Sequence, residues 1–225
     1  MKKQIVYTEP TLEVDDNICI VASSANLLDN KSGREIDEFD DVVRFNRAPT
    51  DGFEEHVGAK TTVRIANNHV FANIPHTGWA TEGQPTNFMR DQENIKVVRI
   101  GPGTNISMTI ARKNLHPTSS PHIGSFNDIV HQMRYAKESW IGSNPLRYDF
   151  VPSIGIAFVW MCIESNITPH LFGFGVDEPP ENASHYWEKC KVAAGPCHRY
   201  SVEREMLREM ESNKKVIIHR RKPNS

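Results

Sequence analysis

Three short apolar runs, each followed closely by serine or asparagine, constrain the fold of this 225-residue chain most strongly. The runs lie at about residues 18–22, 41–45 and 62–66, and each has the length of a buried β-strand. The polar residues that follow them are Ser23, Ser24 and Asn26, then Asn46, and then Asn67. Because ligands of open α/β sheets bind beyond the carboxyl ends of the strands, these side chains are predicted to line one ligand site.

Asparagine offers both a hydrogen-bond donor and an acceptor, which suits a nucleotide base, a ribose or a phosphate. At any single strand end, the preference of serine and asparagine for turns is an equally good explanation. The repetition of the pattern at three successive ends favours a ligand site over three unrelated turns.

The rest of the chain is predicted to alternate strands with helices. Further strands are expected at 95–100, 170–175 and 215–219, and helices at 32–39, 105–114, 124–139, 156–165 and 201–213. This order predicts a single α/β domain over residues 1–225, in which a mainly parallel twisted sheet carries helices on both faces. Residues 1–16 are an extension with at most one edge strand, 67–94 form a loop of functional length, and 214–225 hold the last strand and a basic tail.

Composition excludes several classes of function. Lysine and arginine total 26 against 28 aspartate and glutamate, so the formal charge of -2 gives no indication of nucleic-acid binding. None of the four cysteines forms a Cys-x-x-Cys pair, which argues against zinc. Cys19 and Cys162 lie in apolar runs and are predicted to be buried thiols.

No apolar run reaches the length of a membrane span, and the N-terminus becomes polar too soon for a signal peptide. We therefore expect a cytoplasmic protein with reduced thiols and no transmembrane segment. The basic tail is interpreted as a solvated end, with peripheral contact to anionic lipids as the alternative.

Four blocks along the chain carry a resemblance to a known family. The first block lies within 18–68 and consists of Ala22-Ser-Ser-Ala-Asn-Leu27, Gly33-Arg-Glu-Ile-Asp37, Val42-Val-Arg-Phe-Asn-Arg-Ala-Pro-Thr50 and Val57-Gly-Ala-Lys-Thr-Thr62. The other three blocks are Pro152-Ser-Ile-Gly155, His185-Tyr-Trp-Glu188 and His198-Arg-Tyr-Ser-Val-Glu203. In this order they resemble the large, small, third and very small sialylmotifs of glycosyltransferase family 29, the sialyltransferases. The resemblance covers most of the chain.

The resemblance implies a Rossmann-like (GT-A-like) fold and inverting, metal-independent transfer of sialic acid from CMP-sialic acid to a glycan hydroxyl. The implied acceptor is an oligosaccharide or glycoconjugate with a galactose-type terminal sugar, and no cofactor is expected. By position, the implied donor-binding residues are Ser23, Ser24, Asn26, Asn46, Asn67, Ser153 and Gly155. His198 matches the catalytic base and His185 the histidine that assists the departing phosphate, with Tyr186 and Glu203 in supporting roles.

The residue chemistry agrees with these implications. The sequence contains no Asp-x-Asp triplet, the pair of carboxylates that commonly holds a metal beside a nucleotide diphosphate. CMP leaves with one phosphate, whose charge can be met by histidine and by backbone N–H groups at a helix start such as Ser153–Gly155. An ordinary Pro-Ser helix cap is the alternative for that start. Glu203 is equally compatible with orienting His198 and with complementing the dipole of its own helix.

The sequence departs from the family at a few positions. Ile18 and Ser165 stand where animal members have a disulfide, and Ile154 replaces a hydroxyl residue, which weakens the assignment of the donor sugar. A transferase of another acidic sugar such as Kdo, from its CMP conjugate, is therefore a rival, as is a CMP-sugar-binding module without catalysis. A dinucleotide oxidoreductase is disfavoured because Gly-x-Gly-x-x-Gly is missing, and a hydrolase using Cys197 because the adjacent His198 would seldom face it.

Overall fold

The computed structural model describes residues 1–5, 12–67, 95–99, 107–110, 152–177, 185–187 and 200–220. Within these ranges the strands are β1 (Lys2–Ile5), β2 (Leu12–Asp15), β3 (Ile18–Val21), β4 (Asp41–Phe45), β5 (Val63–Ala66), β6 (Lys96–Arg99), β7 (Ser107–Ile110), β8 (His170–Phe172) and β9 (Ile217–His219). The α-helices are α1 (Gly33–Asp37), α2 (Glu54–Val57), α3 (Ile154–Glu164) and α4 (Tyr200–Ser212), and a 3-10 helix covers Ala25–Asp29.

Seven of these strands form one sheet in the order β7-β6-β5-β4-β3-β8-β9. All neighbouring pairs are parallel except β6 and β7, which are antiparallel. The predicted α/β architecture with a mainly parallel sheet is therefore confirmed. From β3 the chain adds β4, β5 and β6 on one side and later β8 and β9 on the other, so the strand order reverses between β3 and β8.

Both faces of the central strands are buried, which explains why β3 reads as a continuous apolar run. Ile18 and Ile20 belong to a core cluster that also contains α3, α4 and the β1–β2 hairpin. Cys19 and Val21 belong to a second cluster on the opposite face, with α1, α2 and the 3-10 helix. All residues of α3 from Gly155 to Ile163 are buried, as expected for a helix that is apolar on every side.

Most predicted elements lie close to their predicted bounds, and two predictions are wrong. The helix expected at 105–114 is instead strand β7, where antiparallel pairing with β6 overrides local propensity. The first 16 residues hold two strands rather than at most one, because β1 and β2 pair with each other and bury Ile5, Leu12 and Val14. The predicted helix at 124–139, and the loop at 67–94 beyond its first residue, lie outside the described residues.

The two described cysteines, Cys19 and Cys162, are free and buried, as predicted. Burial raises the pKa of the Cys19 thiol to about 12, so it stays protonated and unreactive at neutral pH. In the part of the chain that the structure describes, no helix combines the length and apolar character needed to cross a membrane. The cytoplasmic compartment stays a prediction.

Candidate active site at the carboxyl edge of the sheet

The ends of β3 and β8 meet where the strand order reverses. Their backbones stay hydrogen-bonded beyond the strands, with Ala22 N donating to Phe172 O (2.8 Å) and Ser24 N to Gly173 O (3.1 Å). Gly173 has a φ of +70°, and a Cβ at this position would lie 2.5 Å from Leu27 Cδ1. Glycine is therefore required for the 3-10 helix to pack closely against the end of β8.

The segment 185–187, which belongs to the third motif, lies across the end of β3. Tyr186 N donates to Ser23 O (3.0 Å), and Ser24 forms an isolated antiparallel bridge with His185. Serines of the first motif and a histidine of the third, about 160 positions apart, thus lie side by side at the carboxyl edge. Carboxyl-edge crevices at a strand-order reversal are where α/β sheets bind ligands.

Tyr186 anchors this segment to the body of the protein. Its side chain is buried, packs edge-on against Phe53 (5.1 Å between ring centroids) and donates its hydroxyl to Pro49 O. Burial raises the pKa of the phenol to about 12, so the hydroxyl remains a donor at neutral pH. His185, which is half-buried, stacks in parallel on Trp187 with ring centroids 4.6 Å apart. A supporting role of Tyr186 in the chemistry stays a prediction.

Asn46 joins the ends of β4 and β5. Its backbone has a φ of +45°, a left-handed conformation that asparagine tolerates better than most residues. Its Oδ1 accepts from Asn67 N (3.0 Å), and its carbonyl accepts from Arg64 Nη1 (3.0 Å). Asn46 and Asn67 therefore hold each other at the edge, and contact of either with a nucleotide stays a prediction.

Replacing Asn46 with alanine is expected to lower the free energy of unfolding by about 2 kcal/mol. About 1 kcal/mol comes from the left-handed backbone and the rest from the lost bond to Asn67 N. Asn46→Gly, which loses the bond and relieves the strain, should be the more stable variant by about 1 kcal/mol. Urea denaturation of both variants measures this, and equal stability of the two would show that backbone strain does not matter here.

The start of α3, in the small motif, lies at the same edge. Ser153 caps the helix, its Oγ accepting from Ile156 N (3.4 Å). A Cβ on Gly155 would lie 3.7 Å from Phe45 at the end of β4 and 3.5 Å from Phe174 just after β8. The N–H groups of the first turn of α3 therefore lie close to the ends of both strands, where they can meet an anion.

Glu203 forms hydrogen bonds with Ser153 and does not interact only with the dipole of its own helix. Its two carboxylate oxygens accept from Ser153 N (2.6 Å) and Ser153 Oγ (2.8 Å), and the residue is 6% exposed. Burial raises the pKa of this carboxyl to about 7 against the opposing effect of the two hydrogen bonds. Glu203 thus lies at the positive end of α3, an arrangement that neither sequence-based interpretation included.

Two buried arginines lie beneath this edge, and sequence reasoning missed both. Arg44 and Arg64 are direct partners on β4 and β5. Arg64 Nη1 donates to the carbonyls of Asn46 (3.0 Å) and Ala48 (3.2 Å). Burial lowers the pKa of both, that of Arg64 to about 9 with a further contribution from Arg44. Both remain cationic at neutral pH and favour an anionic ligand nearby. The sequence did contain a signal for them, because each is a charged residue inside an apolar run predicted to be a buried strand.

The remaining predicted site residues are placed as follows. Asn26 lies within the 3-10 helix that follows Ser24. His198 lies outside the described residues, so its position relative to His185 is a prediction. Among the described residues there is no group of three or more histidine, cysteine or acidic side chains arranged to hold a metal ion.

Comparison with known proteins gives one consistent result. A family model described as glycosyltransferase family 29 (sialyltransferase) matches residues 16–215. Beta-galactoside alpha-2,6-sialyltransferase 2 of Takifugu rubripes is 51% identical over 57 residues, which are 25% of this chain and 11% of that protein. Beta-galactoside alpha-2,6-sialyltransferase 1 of Mus musculus is 55% identical over 53 residues, which are 23% of this chain and 13% of that protein. These alignments thus span only a small part of the relatives' length.

Among solved structures, a mammalian sialyltransferase in complex with Gal-beta-1-3GalNAc-ortho-nitrophenol superposes with a TM-score of 0.56. The match covers 91% of this chain and 69% of the other, at 20% sequence identity. At this identity the likeness concerns the fold alone.

Proposed function

Since this chain belongs to glycosyltransferase family 29, the sialyltransferases, we propose that it transfers sialic acid from CMP-sialic acid to a glycan hydroxyl. The observation that carries the proposal is the meeting of three motifs at one edge of the sheet. Ser24 of the large motif lies beside His185 of the third. The small motif begins α3 next to the ends of β4 and β8.

The acceptor we propose is a galactose-type terminal sugar, which is supported by the beta-galactoside acceptors in the names of the relatives. For the fold we propose the Rossmann-like, GT-A-like variant. The parallel strands run in the order β6-β5-β4-β3-β8-β9, so the sheet grows in both directions from β3 and has a switch point between β3 and β8, as nucleotide-binding sheets do.

The proposed reaction is a single inverting displacement. The acceptor oxygen attacks the anomeric carbon of sialic acid, His198 takes the proton of the attacking hydroxyl, and the bond to the CMP phosphate breaks. The transition state has oxocarbenium character, so negative charge grows on the phosphate as the sugar departs. A histidine with a pKa near neutrality suits the base, because it accepts a proton without being already protonated.

The leaving phosphate is proposed to bind between His185 and the start of α3. Stacking on Trp187 and the backbone bridge to Ser24 fix the imidazole of His185 at the edge of the sheet. Its N–H and the N–H groups of the first turn of α3 both favour negative charge there. Metal independence is part of the proposal, and it is supported by the lack of an Asp-x-Asp triplet.

The full chain, supplied with CMP-sialic acid and a galactose-terminated oligosaccharide in the presence of a chelator, is expected to release CMP and form sialylated product. Product is measured by mass spectrometry and CMP affinity by calorimetry. Failure of both CMP binding and product formation would overturn the proposal. Binding or transfer that requires a divalent cation would refute metal independence alone.

A Kdo donor is the second candidate, and Ile154 is the observation that favours it. This residue begins α3. It replaces the hydroxyl side chain that the family resemblance implies at this position, so we expect the donor to lose one hydrogen bond. CMP-Kdo is therefore included in the same assay. Turnover with CMP-Kdo alone would replace the sialyl assignment, and CMP binding without any transfer would indicate a binding module.

A further inference from the structure

The pair formed by Ser153 and Glu203 has a property that the proposed reaction does not use. Ser153 is half-exposed at the start of α3, whereas Glu203 is buried behind it. Both hydrogen-bond donors of Ser153, its N–H and its hydroxyl, lie within 2.6 and 2.8 Å of the two carboxylate oxygens. In this arrangement the hydroxyl of Ser153, the one side-chain donor in Pro152–Gly155, donates to Glu203 and not to a ligand.

The direction of the hydroxyl depends on the protonation of Glu203. An ionised carboxylate only accepts hydrogen bonds, so the hydroxyl of Ser153 must donate to it. A protonated Glu203 keeps one oxygen as the acceptor of Ser153 N–H and donates from the other to Ser153 Oγ. Ser153 Oγ has two lone pairs, one for Glu203 and one for Ile156 N–H (3.4 Å), and its own proton is then available to a ligand.

We propose that Glu203 is a positioning residue whose protonation turns the Ser153 hydroxyl toward the anionic donor, so that donor binding is coupled to uptake of a proton from solvent by Glu203. The proposal rests on the proposed function, because the anion is the phosphate or carboxylate of the CMP-sugar. The only covalent bond that forms in this coupled step is the O–H bond of the Glu203 carboxyl group, and its proton comes from solvent.

Both protonation states are accessible near neutral pH. Removal of Glu203 from water raises the pKa of the carboxyl to about 7, while the two Ser153 bonds pull it down. The charged neighbours of Glu203 along α4 are the buried Arg204 and the half-buried Glu205, and neither is among the leading causes of this shift. A donor anion beside Ser153 repels the ionised carboxylate and raises this pKa further, so binding draws a proton in.

The test measures protons taken up on binding. The probe is a CMP-sialic acid analogue with fluorine beside the anomeric carbon, whose phosphodiester and carboxylate stay ionised from pH 6 to 8.5. Calorimetry at pH 7.5 in two buffers of different ionisation enthalpy gives the number of protons bound. The wild-type protein is expected to take up about half a proton, and its Kd to rise by up to about tenfold per pH unit above pH 7.

Glu203→Gln is the informative variant, because its amide donates to Ser153 Oγ as the protonated acid does. It is expected to take up about half a proton less than wild type at pH 7.5 and to bind the analogue at pH 8 at least as tightly as wild type. The variant should also fold, since ionisation of the buried carboxyl removes stability as the pH rises through about 7 and glutamine does not ionise. Glu209→Gln, on the same helix, is the matched control and should retain wild-type proton uptake.

The outcomes separate this role from the proposed function. Binding of the analogue without proton uptake by wild type, or with equal uptake by Glu203→Gln, overturns the role of Glu203 and leaves the transferase proposal standing. A merely structural Glu203 would alter the melting temperature without altering the proton count, and so gives the same refuting result. Failure of the analogue to bind at any pH overturns the proposed function and this role with it.

Discussion

The variant His198→Ala is expected to lower the turnover number of sialyl transfer by about 10²–10⁴-fold and to leave the affinity for CMP within about threefold of wild type. The general base removes a proton from the acceptor hydroxyl, and the acceptor is absent from the complex with CMP. Loss of the base should therefore lower turnover without changing nucleotide binding. His198 precedes α4 by two residues. The first turn of α4 is joined to the ligand edge by the bonds of Glu203 to Ser153.

The pH profile gives a second readout for His198. In wild type, kcat/KM should fall on the acid side as the base becomes protonated, near the ordinary histidine pKa of about 6.5. The variant should lose that limb of the profile and keep only the dependence that Glu203 contributes. His56→Gln is the control, because His56 lies on α2 and its Nδ1 contacts Asn30 O (2.8 Å) away from the proposed chemistry. Unchanged turnover in the His198 variant would refute its assignment as base.

Substitution of Arg44 by alanine is expected to destabilise the fold by about 3–5 kcal/mol. Arg44 is fully buried on β4 and faces away from α3. Its Nε and Nη2 atoms donate, over distances from 2.6 to 3.2 Å, to the carbonyls of Val57, Gly58 and Lys60 and to the hydroxyl of Thr61. Alanine would leave these buried acceptors without their donor and open a cavity, and both losses add to the cost.

Equilibrium urea denaturation, followed by circular dichroism and tryptophan fluorescence, measures the loss. Arg34→Ala is the matched control, since this arginine is 94% exposed and its one ion pair among the described residues is an i,i+4 pair with Glu38. It should change stability by less than about 0.5 kcal/mol. Arg44→Lys keeps the charge and loses the planar guanidinium. Its loss of stability should lie between those of Arg44→Ala and Arg34→Ala. A loss below about 1 kcal/mol for Arg44→Ala would contradict the structural role.

The contacts of Arg44 also explain part of the first motif. Asp37 accepts from Ala59 N and Lys60 N (2.9 Å each), and Lys60 Nζ donates to Phe39 O. Gly58 has a φ of +74°, which favours glycine. The blocks Gly-Arg-Glu-Ile-Asp and Val-Gly-Ala-Lys-Thr-Thr thus bind each other, and the second also binds Arg44. Much of the motif therefore shapes the scaffold behind this edge, and its strand ends are the part that we propose to contact the donor.

Several features of this protein could be read from local sequence. The strands at β3, β4 and β5 follow from the length of their apolar runs, and the burial of Cys19 and Cys162 follows from their place in such runs. The parallel sheet follows from the alternation of strands with helices. These signals lie within a few residues of each other, which is why sequence alone determined them.

The tertiary structure alone decided which polar groups became partners. Ser153 and Glu203 are 50 positions apart, and β7 is a strand only because β6 lies next to it. Arg44 reads as an interruption of an apolar run until carbonyls from the following helix and loop surround it. A hydrogen bond or a shifted pKa depends on how much water the whole fold removes around a group, and no local pattern records that.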